Sequence, residues 1–460
     1  MDLLPAELLA FATKAPLAAG ARALFEHLFQ ADSLNSWFRA KAFSQYEREL
    51  TFSSLVELMA AVTFRRQASV RKAYLADSGR WEVSLSAVYQ KLQGVEPDLC
   101  AALVADTAVR LQQLMIESGS PPESVVPGRR VMGVDGSHAA ATDHRLKVLR
   151  TTNLAALPCQ ALVVRDYQTG LLCRMVPGED AHDNERALFP ALYDAIRPGD
   201  VWLGDRNFAT AGFLAAVVDR AATFVVRRHA NTAVRPTGEY GAAATSPSGD
   251  RIDECDAVVV TSGGRELSIR LVRVRLAKPL KHGERELFVL TNLPREEVSA
   301  VEVARLYRTR WKIEGAFQVV AETMHGEVRS LGYPKAALFA TALSLVAYNL
   351  VVTLKRFAAA ALGVVPEDVS DNMIATEIQT VTTGMLIALP GEQWAPIGAW
   401  DGPELARWLT ALLEGLNATK YRKAKRSPKP PKQLKKDGSS GHVATHRLLN
   451  PDTQRGKKSP

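Results

Sequence analysis

Cysteine is scarce and scattered. Four residues, Cys100, Cys159, Cys173 and Cys255, occur in a chain of 460, and none forms a C-x-x-C pair. That excludes a thiolate zinc site of the usual spacing and a disulfide framework, and it fits a reducing cytoplasm. The N-terminus, Met1-Asp2-Leu3-Leu4-Pro5, has no basic lead-in to an apolar run, so no secretory signal is expected. Internal repeats are missing too. Long uncharged sequence is confined to Ala336–Leu354, about the length of a membrane span. Thr341, Ser344, Tyr348, Asn349, Thr353 and many alanines favour a helix buried in a soluble domain, so no membrane partner is expected. Acidic residues are absent from Lys420 to Lys436, where Lys420, Arg422, Lys423, Lys425, Arg426, Lys429, Lys432, Lys435 and Lys436 alternate with proline and small residues. Such a block cannot bury enough apolar area to fold alone, and reads as a non-specific polyanion contact.

What is present is an ordinary globular composition, 47% hydrophobic and 23% charged, with a formal net charge of +8. The length allows two or three domains. Residues 1–122 read as a helical N-terminal DNA-binding domain. Thr51 is a plausible N-cap for the amphipathic run Phe52–Arg65, and Pro97 opens a long helix to Ile116. Arg65, Arg66, Arg71, Lys72 and Lys91 suit either a helix-turn-helix-like unit or the solvated faces of a small bundle. After Gly119-Ser120-Pro121-Pro122 the pattern turns strand-like. Residues 123–229 give strand Arg130–Val134 ending on Asp135, strands Ala161–Val164 and Leu171–Val176 joined at Gln168-Thr169-Gly170, and a helix N-capped by Asp183 and running to about Ile196. Strand Val201–Gly204, ending on Asp205, helix Ala209–Val218 and strand Thr223–Val226 follow. Residues 230–296 are a β-rich insertion. There Leu267–Leu276 alternates apolar residues with Arg270, Arg273 and Arg275, with a slip near Leu271-Val272 that predicts a bulge. The arginines fit either a phosphate track or a solvated face. Residues 297–395 return to helix, and 396–460 hold a last helix and the basic tail. The fold class is α/β.

One helical stretch, Leu306-Tyr307-Arg308-Thr309-Arg310-Trp311-Lys312-Ile313-Glu314, sets Tyr307, Arg310 and Glu314 on one face at offsets of three and four. Asp135 and Asp205 lie at the carboxyl ends of strands, where ligand sites of such sheets gather. If the three carboxylates converge, they make an oxygen-only set suited to Mg²⁺ or Mn²⁺ and to in-line phosphoryl displacement. Arg310 would then clamp a phosphate, and Tyr307 would donate to one or stack on a base. His138 and His144, after the first strand, read as surface or supporting residues. Candidate DNA contacts are Arg206, Arg310, Lys312, Lys423, Lys425 and Arg426.

These residues resemble, in order, the DDE transposases of bacterial insertion sequences marked by the signature Y-x2-R-x3-E-x6-K. Val134-Asp135-Gly136-Ser137 and Gly204-Asp205-Arg206-Asn207-Phe208 match the two aspartate motifs, and Tyr307, Arg310 and Glu314 match the signature. Thr291–Pro294, Arg310-Trp311 and Tyr348–Leu350 match its usual neighbourhoods. The resemblance implies a ribonuclease-H-like core and Mg²⁺-dependent strand cleavage and transfer in cut-and-paste transposition. It also implies recognition of terminal inverted repeats in double-stranded DNA, a homodimer in the synaptic complex and a cytoplasmic, nucleoid-associated protein. Two positions depart from the pattern. Ala321 stands where the signature has lysine, on what a continuous helix would make the catalytic face, and the insertion holds no tryptophan. Trp311 is expected to pack against the helix. A catalytically impaired DNA-binding regulator of the same descent is the alternative function; another nuclease on the same core is a third.

Overall fold

Parallel strands need a crossover and antiparallel ones a short turn, and the central residues supply both. The computed structural model describes residues 4–45, 47–119, 124–142, 147, 156–280 and 283–423. Its strands are β1 (Val131–His138), β2 (Gln160–Asp166), β3 (Leu172–Gly178), β4 (Val201–Gly204), β5 (Thr223–Arg227), β6 (Val234–Pro236), β7 (Ala244–Thr245), β8 (Arg251–Val260), β9 (Glu266–Arg275) and β10 (Glu286–Thr291). They form one mixed sheet in the order β3-β2-β1-β4-β5-β10-β9-β8-β6, with β7 paired to β8. β1, β4 and β5 run parallel, while β2 and β3 are antiparallel to their neighbours. The β2–β3 turn closes at Gly170, whose φ of 82° is open to glycine at no steric cost. Through β10 on β5, residues 230–296 extend this same sheet.

Side chains alternate across the sheet and build a core on each face. Met132, Val134, Trp202, Phe224 and Val226 join Phe189, Phe208 and Phe213 on one side. Val131, Val201, Leu203, Val225 and Val289 join Val303, Leu306 and Tyr307 on the other. The same parity corrects the reading of β9. Its pairing with β8 and β10 is unbroken across Leu271 and Val272, so no bulge exists there. Leu267, Ile269 and Leu271 simply serve one core, and Val272 and Val274 the other. Nor is there a free basic row. Arg270 is buried, bonding Glu254 and the carbonyls of Leu293 and Val298, while Arg273 and Arg275 pair with Asp253.

A second correction concerns the segment after β3. Glu185–Ala195 is a 3₁₀ helix rather than an α-helix, and Asn184, not Asp183, caps it by accepting from the Arg186 N–H. Pro190 inside it has no N–H to sustain an α-helical ladder.

Helices Pro16–Phe29, Phe52–Thr63 and Pro97–Glu117 share one core with the long helix Pro334–Ala361. Thr51 caps the second of these by accepting from Ser54 N–H. Among the described residues, Pro97–Glu117 and Pro334–Ala361 are long and apolar enough to cross a membrane. The apolar window of the latter is 94% buried inside the protein, as a core helix would be. The basic side chains of this region are largely engaged within the fold. Arg65, at φ 58°, donates to the carbonyls of His325 and Glu327, Arg66 is half-buried beside Arg22, and the Lys91 ammonium lies 5.0 Å from the Phe38 ring. Arg71 and Lys72 are exposed.

Residues Met1–Arg422 make one compact unit, and Lys423–Pro460 a second of which only Lys423 is described. Lys425, Arg426, His144 and the boundary at Ser120-Pro121-Pro122 lie outside the described residues. Cys100, Cys159, Cys173 and Cys255 are all unpaired.

Candidate active site

The parallel register of β1 and β4 places the two aspartates side by side. Gly133 is level with Leu203, so Asp135 and Asp205, each two residues further along, leave neighbouring strands close enough for the Asp205 charge to act on Asp135. Leu203 faces the side of the sheet covered by helix Ala300–Thr309. β1 does not end at Asp135, as the sequence suggests. It continues to His138 against β2, with Asp135 opposite Val163. Gly133 leaves room for the Tyr167 ring, which a Cβ there would strike.

The third carboxylate arrives on the signature helix. Ser299 and Glu302 form a capping box, and Val303, Leu306 and Tyr307 bury its inner side. The helix is not continuous. Ala300–Thr309 gives way at Arg310 to helix Trp311–Gln318 and then to a π-helical turn, Val319–Thr323. Arg310 keeps right-handed helical geometry at the joint, and its N–H bonds Tyr307 O at 3.1 Å. Its carbonyl accepts the Tyr167 hydroxyl at 3.0 Å. With only 6% of its surface exposed, Arg310 sends Nη1 to Asp135 Oδ2 at 3.2 Å and Nη2 to Glu314 Oε1 at 2.6 Å. One guanidinium therefore ties the strand carboxylate to the helix carboxylate. Asp205 Oδ1 accepts the Asn207 N–H at 2.8 Å, and Asp205 caps the short turn Arg206–Phe208.

The electrostatics follow from this crowding. Burial, with the nearby charges of Asp205 and Glu314, pushes the Asp135 carboxyl up to about 7 against the pull of Arg310. Burial also raises the Tyr307 phenol, which lies next to Arg310 and senses Asp205. A fourth carboxylate, Glu185, stands at the edge of the cluster. Burial raises it, and both Asp205 and His138 act on it. Nothing local in the sequence marks Glu185, because only folding brings it to Gly136 and Asn207.

Other predicted residues fare differently. Trp311 does not pack; it is 62% exposed beside the site. On an αR turn starting just after a buried Arg310, its side chain is directed away from the core. Lys312 is exposed and pairs with Glu367 at 3.1 Å, Arg206 and Lys423 are exposed, and so is His138. Arg310 is occupied by its two carboxylates, Asp135 and Glu314. Ala321 sits in the π turn, lining a cavity of about 110 Å³ with His138, Phe317, Val328 and Ser344. The neighbouring motifs are structural. Asn349 bonds both the N–H and the carbonyl of Leu172, and Tyr348 holds Arg165. Asn292 bonds Phe224 N–H and Ala222 O.

As a donor set, the site offers only carboxylate oxygens, in excess over its one buried guanidinium. A hard divalent cation would relieve both the burial that raises Asp135 and its repulsion from the other carboxylates, so the residues fit Mg²⁺ or Mn²⁺ in kind. Among the described residues, no group of three or more acidic, histidine or cysteine side chains is arranged to hold a metal ion.

Fold and site thus define a mixed α/β protein with a carboxylate cluster at adjacent parallel strands. Residues 131–350, a span that contains Asp135, Asp205 and Glu314, match the family model for the transposase DDE domain. No curated protein matches the chain. Among solved structures, a piggyBac transposase synaptic complex with hairpin DNA, determined by cryo-EM, is similar at 11% identity and TM-score 0.39, over 91% of this chain and 87% of that one.

Proposed function

We propose that this chain is an insertion-sequence transposase that binds terminal inverted repeats and carries out metal-dependent DNA strand cleavage and transfer. The observation that carries the reading is the convergence of Asp135 and Glu314 on the buried Arg310, with Asp205 just past the end of the next parallel strand and its charge acting on Asp135. The strand order β3-β2-β1-β4-β5, with β2 and β3 antiparallel, supports a ribonuclease-H-like core. Asp135, Asp205 and Glu314 would hold Mg²⁺ or Mn²⁺, which supplies an activated attacking oxygen and offsets charge on the leaving one. Arg310 offsets the repulsion between Asp135 and Glu314, and offers a planar, always-charged donor to a phosphate. Tyr307, buried against Arg310, fixes where that guanidinium sits. Double-stranded DNA is the partner, with a homodimer in the synaptic complex, acting at the nucleoid in the cytoplasm. Arg206, Lys312 and the basic tail with Lys423, Lys425 and Arg426 would contact the backbone.

A linear duplex carrying the DNA that flanks this gene, incubated with purified protein and Mg²⁺, tests the reading. Nicks at the repeat ends made by the wild type and lost in Asp205→Ala are expected. Ala321, which brings no charge where the signature has lysine, favours the second reading of a DNA-binding regulator. End-specific binding without cleavage in Mg²⁺ or Mn²⁺ would reject the enzyme and leave that regulator.

A further inference from the structure

Asp205 lies past the end of β4, on a turn of three residues with no long element to hold it. Something else must fix its carboxylate. Its Oδ1 accepts the main-chain N–H of Asn207 at 2.8 Å, and the Asn207 side chain is gripped at both ends. Arg186 Nε donates to Asn207 Oδ1 at 3.0 Å, and Asn207 Nδ2 donates to Glu185 Oε2 at 2.5 Å. The apolar side of the same junction is locked as well. Phe189, four residues after Glu185, stacks on Phe208 with ring centroids 4.6 Å apart. Gly204 makes room for Phe208, since a Cβ there would crowd the Phe208 side chain. The other Glu185 oxygen, Oε1, lies 2.2 Å from where a Cβ on Gly136 would be, so Glu185 rests against the backbone next to Asp135.

We infer that Glu185 is a positioning residue for the metal site, acting through Asn207 to aim Asp205 and bracing the chain beside Asp135. The inference rests on the proposed metal-dependent reading. Phe189 on Phe208 sets the backbone of the turn, and Glu185 with Arg186 sets the asparagine within it. Asn207 then fixes one oxygen of Asp205, leaving the other for a cation. Partners that orient a ligand in this way are worth about 10–100-fold in metal affinity.

The test measures Mn²⁺ affinity of the full-length protein, with unfolding midpoints as a control for folding. Asp205→Ala should abolish binding. Glu185→Ala and Asn207→Ala should each weaken it about tenfold, and the double variant no further, because both remove one link. Glu185→Gln, whose side-chain oxygen still accepts from Asn207, should stay within about threefold of wild type. Wild-type affinity in Glu185→Ala, with binding lost in Asp205→Ala, overturns this inference alone. So does equal loss in Glu185→Gln and Glu185→Ala, which would make the Glu185 charge itself the ligand. Should Glu185→Ala not fold, wild-type affinity in Asn207→Ala overturns it. If the wild type binds no Mn²⁺, or Asp205→Ala binds as well as wild type, the metal reading falls and this inference with it.

Discussion

Asp135 is half-buried beside Arg310 and near two other carboxylates, and its raised carboxyl makes the site pH-sensitive before any ion is considered. An unfolded aspartate titrates near 3.9, whereas the native one does so at about 7. Between those values the native state holds the proton more tightly. Its contribution to stability is therefore complete below the unfolded value and lost as pH rises through 7. Asp135→Asn fixes the neutral form. In metal-free protein it should be more stable than wild type at pH 8, by on the order of a few kcal/mol, with the difference vanishing near pH 4. Urea midpoints at both pH values measure this. An offset of the same size at both would mean that the substitution acts through packing rather than through charge.

Elements, more than single side chains, bring Glu314 to the strands. The capping box starts the signature helix, the joint at Arg310 lets that residue turn toward Asp135, and the π turn follows. The long helix Pro334–Ala361 is docked to the far edge of the sheet by Asn349, which bonds the Leu172 N–H and carbonyl at 2.8 and 2.9 Å as a neighbouring strand would. Asn349→Ala leaves both backbone groups buried and unpaired. A loss of about 2–4 kcal/mol in urea unfolding is expected. No change would show that solvent reaches the β3 edge and takes the bonds over. Tyr348-Asn349-Leu350 thus belongs to the motif set for a docking reason rather than a chemical one.

At the scale of the molecule, the compact unit ends in a clasp. Glu377 is buried and accepts the Leu17 N–H at 3.0 Å, Lys420 Nζ at 2.7 Å and the Tyr421 hydroxyl. The position of a truncation therefore decides what it tests. Ending the chain after Lys423 keeps the clasp and removes most of the basic block, so the salt dependence of DNA binding should flatten with little change in the unfolding midpoint. Ending it after Leu416 should flatten the slope and also cost on the order of 2 kcal/mol or more, because Glu377 loses two partners in a buried place. An unchanged slope in both would remove the tail from the DNA contact.

Much of this was written in local sequence. The short apolar runs of β1, β4 and β5, the Gly170 turn, the Thr51 cap and the spacing of Tyr307, Arg310 and Glu314 are properties of a few adjacent residues, so the chain states them directly. The ordered aspartate motifs and signature named the candidate carboxylates for the same reason. Local pattern misled where two environments meet on one strand or helix. β9 serves both cores and so looked bulged, Arg270, Arg273 and Arg275 looked free until Asp253 and Glu254 came opposite them, and Trp311 looked packed until Arg310 took the buried position. Glu185 was invisible, because its partners Asn207 and Gly136 lie in other segments and only the sheet register brings them together. By itself, then, the sequence determined which groups could do chemistry and the elements that carry them. The tertiary structure alone decided which of those groups touch, because burial, charge pairing and pKa depend on distances between segments that no local pattern encodes.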